Sequence, residues 1–172
     1  MITLDGFPKN KDKYIKLLEF FKETLGICNE LGIAPILDGS LAVFAYTRNQ
    51  DMDVNDVDVS VPEAEFPRII KVLEQKGIGF RLKEWHVLQA LRDDLKIELG
   101  SQEYWSKDLP KDYEILLIDN YRVKMLSLHG LKEFYKQGME DRAKGTEEND
   151  KIKYERLKAK YEMLVSVGQK FA

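Results

Sequence analysis

Leu37-Asp38-Gly39-Ser40, followed further along by Asn55-Asp56-Val57-Asp58-Val59-Ser60-Val61, is the stretch on which the fold turns. Successive side chains of a strand point to opposite faces. Asp56, Asp58 and Ser60 therefore share one face and Val57, Val59 and Val61 the other. The valines suit a core. Two neighbouring carboxylates repel, and a cation or a proton relieves that repulsion. Asp is disfavoured in strands, which weighs against a chance pair on a solvated face.

Working outward, Ile33-Ala34-Pro35-Ile36-Leu37 reads as a short apolar strand. Gly39-Ser40 turns the chain into Leu41 to Tyr46, a short buried helix. Gly39 permits close backbone approach to a triphosphate. Ser40 offers a hydroxyl, and free N–H groups at a helix start favour anions. Thr47 to Asn55 is polar and reads as a loop. Downstream, Glu98 alternates with Leu95, Ile97 and Leu99, so it projects from the face opposite the packed one. If this strand lies in register beside Asp56–Val61, three carboxylates converge. Such hard oxygen donors suit Mg²⁺, which keeps waters and substrate phosphates in its shell. A pair of such ions about 3.5–4 Å apart can hold both oxygens of a phosphoryl transfer.

The remaining elements follow from periodicity. Tyr14, Leu17, Leu18, Phe21 and Leu25 mark a helix over about residues 11–31, stopped by Gly32. Phe66, Ile69, Ile70 and Leu73 mark a second, opened by Pro62 and closed by Gly77. Val87 to Arg92 and Leu95 to Leu99 form a hairpin around Asp93-Asp94. Glu114 to Ile118 and Tyr121 to Met125 form another around Asp119-Asn120. Two helices close the chain, over about 128–142 and 148–167, with Ser127 and Thr146 as N-caps. The expected class is α/β (α+β), a mixed sheet flanked by helices. Residues 1–126 form the sheet-bearing part, and 127–172 a helical extension packed on it as one compact unit.

Bulk composition bounds the partners. The 172-residue chain is 44% hydrophobic and 33% charged, as expected of an ordinary globular protein. A net charge of -3 gives no global attraction to nucleic acid or to an anionic membrane. The single cysteine, Cys28, excludes an intrachain disulfide and fits a small core position. No apolar run approaches the roughly 18 residues of a membrane span, and the N-terminus lacks the apolar core of a signal peptide. The expected location is cytoplasmic. His86 and His129 stand in no metal-ligand spacing, and Trp85 and Trp105 suit either the core or a cleft wall. Asp51-x-Asp53-x-Asn55 matches the start of a calcium-binding EF-hand loop. The match then fails at Asp56, where that loop needs Gly, and at Pro62, where it needs Glu.

Leu37-Asp38-Gly39-Ser40 with Asn55-Asp56-Val57-Asp58-Val59 resembles the signature of the DNA polymerase beta-like nucleotidyltransferase superfamily. Lys96-Ile97-Glu98-Leu99 resembles its third-carboxylate strand. The likeness is greatest to small bacterial and archaeal members and to the antibiotic-modifying and toxin-type branches. It covers about residues 33–160. The tail, with Val123 to Leu128, Tyr135 and Arg142, resembles the helical tail of the small members, which carries basic residues near the nucleotide. The candidates are Lys132, Arg142 and Lys144.

That resemblance implies metal-dependent transfer of a nucleoside monophosphate from a nucleoside triphosphate to a hydroxyl acceptor, releasing pyrophosphate. Asp56, Asp58 and Glu98 would be catalytic residues and Mg²⁺ ligands. Gly39, Ser40, Arg142 and Lys144 would hold nucleotide. The acceptor is left open among a small molecule, a protein and an RNA end, and neither base preference nor oligomeric state is legible. Members of the antibiotic and toxin branches often place a basic or hydroxyl residue just before the first aspartate. Val54 and Asn55 stand there instead, with Arg48 as the nearest substitute. The alternative is a catalytically silent module of the same fold that binds nucleotide or a partner, as in a toxin–antitoxin-like pair.

Overall fold

The computed structural model describes residues 1–170. Eight strands form one mixed sheet: β1 (Ile2–Thr3), β2 (Ile36–Asp38), β3 (Val57–Val61), β4 (Gly79–Lys83), β5 (Val87–Arg92), β6 (Leu95–Ser101), β7 (Tyr113–Ile118) and β8 (Tyr121–Leu126). Their order across the sheet is β1-β7-β8-β2-β3-β6-β5-β4. The helices are α1 (Lys11–Glu30), α2 (Gly39–Thr47), α3 (Phe66–Gln75), α4 (Gln102–Trp105), α5 (Leu128–Ala143) and α6 (Glu148–Lys170). The architecture is the expected α+β class with a C-terminal helix pair.

The sheet forms because its central strands alternate strictly. In β3 and β6, Val57, Val59, Val61, Leu95, Ile97 and Leu99 are buried, and α1 packs against β6. Along α1, Tyr14, Leu17, Phe21, Leu25 and Cys28 recur at helical spacing and are buried. Each large apolar side chain so enclosed contributes about 1.5–3 kcal/mol. Cys28 is thus a core residue, and burial pushes its thiol up to about 12. The ring of Tyr14 meets Phe44 edge-on at 5.6 Å, tying α1 to α2. From Gly39 to Ala45 every residue of α2 is buried.

Both expected hairpins are present as the antiparallel pairs β5–β6 and β7–β8. Their turns place Asp93 and Asp119 at φ 52° and 51°, a left-handed conformation that Asp tolerates better than most residues. Some boundaries differ from expectation. β2 begins at Ile36 rather than Ile33, because Ile33 N–H still donates to Cys28 O at the end of α1 and Pro35 has no N–H to give. Ser127 caps α5 as expected, its Oγ accepting from Gly130 N at 2.9 Å. Thr146 does not cap α6. The helix begins at Glu148, and Glu147 N donates to the Asp150 carboxylate at 3.4 Å, the returning half of a capping box.

Candidate active site

Strand register assembles the site. Asp38 of β2 lies opposite Asp58 of β3, and Asp58 lies opposite Glu98 of β6. Glu98 in turn lies opposite Gln89 of β5. Directly paired residues on adjacent strands present neighbouring side chains on one face. Three carboxylates and one amide therefore form a row across four strands. Asp56 sits just before β3 and lines the same cleft as Asp58. Of the three expected carboxylates, Asp58 and Glu98 are register partners, and Asp56 shares a cleft with Asp58. The row also contains Asp38, which the sequence offered only as part of the Leu37-Asp38-Gly39-Ser40 string.

Burial sets the electrostatics. Asp38 is 6% exposed. Burial, and next the charge of Glu98, push its carboxyl up to about 8. Asp58 is raised well above the ordinary carboxylate range, first by burial and then by Asp56, Asp38 and Glu98. Asp56 is raised by burial and Glu98, opposed by Lys160, Lys96 and Lys13. Glu98 is fixed differently: Gln89 Nε2 donates to its Oε1 at 2.7 Å. Gln89 is buried, and neither its burial nor its register with Glu98 was legible beforehand.

Gly39 lines the cleft and also makes room for a neighbour. Its φ is +67°, and a Cβ there would fall 2.2 Å from Asp58 Oδ2. The Asp58 carboxylate takes the space that the missing side chain leaves. Ser40 follows on the first turn of α2, whose initial N–H groups receive no side-chain cap. Both residues line a cleft of about 410 Å³ together with Asp56 and Asp58.

The opposite wall of that cleft is basic and comes from α6. Lys153, Arg156 and Lys160 line it at helical spacing, on the face turned towards the aspartates. Lys160 is held between opposing effects: burial lowers its ammonium, while Asp58 and Asp56 raise it. Tyr135 of α5 lines the cleft too, its phenol pushed far up by burial and then by the aspartates. None of these four was singled out as a cleft residue from sequence. The signal was present as a basic face of an amphipathic helix, but a solvated surface reads identically until the helix is docked.

The expected tail contacts divide. Arg142 lines the cleft, and its Nη1 donates to Asp150 Oδ1 at 3.0 Å, tying the end of α5 to the start of α6. Lys144 caps α5 as an exposed residue outside the cleft lining, because the turn into α6 carries it away. Lys132 is likewise absent from that lining; its amine would lie 3.4 Å from a Cβ at Gly168, near the far end of α6. Arg48 does not substitute before Asp56. It ends α2 in a left-handed conformation and pairs with Asp5 at 3.0 Å. The segment before Asp56 is instead pinned by Asn10, which donates to Val54 O at 2.8 Å and accepts from Val54 N at 2.9 Å. Of the histidines, His86 is exposed and pairs with Glu63.

The donor set is compatible with a hard cation. Asp38, Asp56, Asp58 and Glu98 offer only oxygen, and the aspartates are crowded, desolvated and short of positive charge. Among the described residues, no group of three or more His, Cys, Asp and Glu side chains is placed so that it could hold a metal ion. Oxygen donors of this kind are those that Mg²⁺ takes when it completes its shell with water and phosphate oxygens.

No protein-family model and no curated protein matches the chain. Solved structures do match it by shape. A crystal structure of ANT(2'')-Ia in complex with adenylyl-2''-tobramycin aligns with a TM-score of 0.56 at 13% identity, covering 90% of this chain and 98% of that one. The lincosamide antibiotic adenylyltransferase LnuA, bound to lincomycin, aligns with a TM-score of 0.50 at 15% identity, over 82% and 94% of the two chains. An antigenic nucleotidyltransferase-like protein from Paracoccidioides brasiliensis aligns with a TM-score of 0.60 at 11% identity, over 94% and 79%. Strand row, flanking helices and C-terminal helix pair together give this chain the nucleotidyltransferase-like fold.

Proposed function

We propose that this protein is a nucleotidyltransferase that moves a nucleoside monophosphate from a nucleoside triphosphate to a hydroxyl-bearing acceptor. The observation that carries the reading is the cleft itself. One wall is the carboxylate row of β2, β3 and β6; the other is the Lys153, Arg156 and Lys160 face of α6. A polyanion and its cation fit between walls of opposite charge, and neither fits either wall alone.

In this reading the triphosphate lies along α6, with its phosphates near the free N–H groups at the start of α2. Lys153, Arg156 and Lys160 neutralise phosphate charge and orient the leaving end. Asp56, Asp58 and Glu98 would hold Mg²⁺, which when bound neutralises phosphate charge and polarises the α-phosphorus. Asp38 keeps the row crowded and raises the local demand for a cation. The acceptor oxygen forms a bond to the α-phosphorus as the bond from that phosphorus to the bridging oxygen breaks. Pyrophosphate leaves with the electron pair. The hydroxyl proton passes to the Glu98 oxygen not engaged by Gln89.

A direct test uses each triphosphate labelled at the α-phosphorus, with Mg²⁺ and a small-molecule extract as the acceptor pool. Label should pass to acceptor and pyrophosphate should appear, and Asp58→Asn should abolish both. Undiminished transfer by Asp58→Asn would overturn the assignment. A second reading, a module that holds nucleotide without turnover, draws support from the lack, among the described residues, of a group of three or more acidic, His or Cys side chains placed to hold a metal ion. It requires calorimetric binding of triphosphate with no label transferred to any acceptor.

A further inference from the structure

The sheet fixes two of the site carboxylates and leaves Asp56 to something else. Asp58 is paired on both sides, to Asp38 of β2 and to Glu98 of β6, so the ladder sets its place. The ladder of β3 with β6 starts only at Val57, and that with β2 only at Asp58. Among the described residues, Asp56 therefore has no strand partner. It stands at the end of the loop between α2 and β3. Loop backbone outside a ladder keeps one path only where other groups take up its N–H and C=O.

Asn10 supplies that hold. Its Oδ1 accepts from Val54 N at 2.9 Å, and its Nδ2 donates to Val54 O at 2.8 Å. One planar amide thus satisfies both backbone groups of the residue two before Asp56, as a neighbouring strand would. Nδ2 also donates to Asn55 Oδ1 at 3.3 Å, so the residue directly before Asp56 is held as well. Beside this, Lys9 N donates to Met52 O at 2.8 Å, and the Met52 and Val54 side chains are buried.

Asn10 directly precedes α1, at the N-cap position. An Asn there commonly accepts from the first turn of its helix. This one makes no such bond, and its amide serves the loop instead. α1 in turn packs against β6, the strand that carries Glu98. One helix thus backs Glu98 and, through Asn10, holds the loop that ends in Asp56.

We propose that Asn10 is a positioning residue, which acts through the backbone of Val54 and Asn55 to set Asp56 beside Asp58 in the cleft. Its effect on ligand binding rests on the nucleotidyl-transfer reading, in which Asp56 and Asp58 share a cation with the triphosphate. Groups that orient a metal-binding carboxylate from outside the metal's own shell typically govern affinity by tenfold or more.

Two readouts on the intact protein test this with Asn10→Ala and Asn10→Asp. The Asp variant keeps the shape and the acceptor but loses the donor to Val54 O. The first readout needs no ligand. Backbone amide relaxation by NMR should show Asn55 and Asp56 gaining motion in both variants, with Asp58 and Glu98 as rigid as in the parent. The second is calorimetric binding of a non-hydrolysable ATP analogue, with Mn²⁺ and with a chelator. Mn²⁺ should tighten binding to the parent. Asn10→Ala should weaken the Mn²⁺-supported binding about tenfold. It should leave binding in chelator unchanged, because Lys153, Arg156 and Lys160 are untouched. Ile69→Val, which trims a fully buried core residue on α3, should lower stability and change neither affinity. Asp56 as rigid in Asn10→Ala as in the parent, or a variant that keeps the parent's gain from Mn²⁺, overturns the positioning role. A parent that binds the analogue no more tightly with Mn²⁺ overturns the transfer reading instead, and the relaxation result then decides the role of Asn10 by itself.

Discussion

Asp38 and Asp58 are direct cross-strand partners in the antiparallel pair β2–β3, the first buried and the second half-buried, with Glu98 next in the row. Lys160 opposes the crowding at both Asp56 and Asp58, and its own ammonium is penalised by burial. In the proposed reading, a divalent cation would relieve the crowding and stabilise the cleft.

A pH dependence follows. Burial and Glu98 raise Asp38 to about 8, and Asp58 and Asp56 are raised in the same direction. A carboxyl raised on folding binds its proton more tightly in the native state. Its stabilising contribution is full below the unfolded value of about 4 and is lost as pH rises through about 8. In a chelator, the melting temperature should fall as pH climbs through that window. Mg²⁺ should reverse the fall most strongly at the alkaline end. A melting temperature flat with pH and indifferent to Mg²⁺ would contradict the crowded-carboxylate picture.

Much of this site was legible from residues alone, for a definite reason. Asp56, Asp58 and Glu98 each interrupt an apolar alternation, and period-2 geometry says which face they occupy. Asp38 was harder to read, because a three-residue strand ending in a helix start offers no alternation to interrupt. Gln89 became a partner of Glu98 only through the register of β5 on β6. The edge strand β4 went unread because Arg81 and Lys83 leave little apolar pattern, and α4 is a single turn. Lys153, Arg156 and Lys160 needed the docking of α6 against α2, a tertiary relationship that no local pattern encodes.

Gly39→Ala tests the close approach of Asp58. The substitution puts an L residue at φ +67° and a Cβ 2.2 Å from Asp58 Oδ2. It should destabilise the fold by about 1–3 kcal/mol, the cost of enforced backbone strain, and should abolish Mg²⁺-dependent stabilisation. Urea unfolding with and without Mg²⁺ measures both. A variant as stable as the parent and equally responsive to Mg²⁺ would show that Asp58 does not need that space.

The tail makes a contrast of its own. Replacing Lys153, Arg156 or Lys160 by Ala should weaken binding of a non-hydrolysable triphosphate about tenfold each, a typical loss for one charge-assisted contact. Lys144→Ala should leave it unchanged, because that side chain is exposed outside the cleft. Calorimetry on the four variants decides it, and equal losses in all four would point to diffuse attraction by the tail.

Ser60→Ala tests an orphan hydroxyl on β3. Its hydroxyl is buried without a partner among the described residues, so its removal should leave the melting temperature unchanged or slightly higher. A clear loss of stability would mean that Ser60 has a structural bond in solution, and would remove it as an orphan donor.

The most direct measurement is anomalous diffraction from crystals soaked with Mn²⁺ and a non-hydrolysable nucleoside triphosphate. The expected map has manganese against Asp56 and Asp58, within reach of Glu98, and phosphates running between the start of α2 and Lys153, Arg156 and Lys160. Manganese away from Asp58, or a triphosphate bound anywhere but this cleft, would contradict nucleotidyl transfer by this protein.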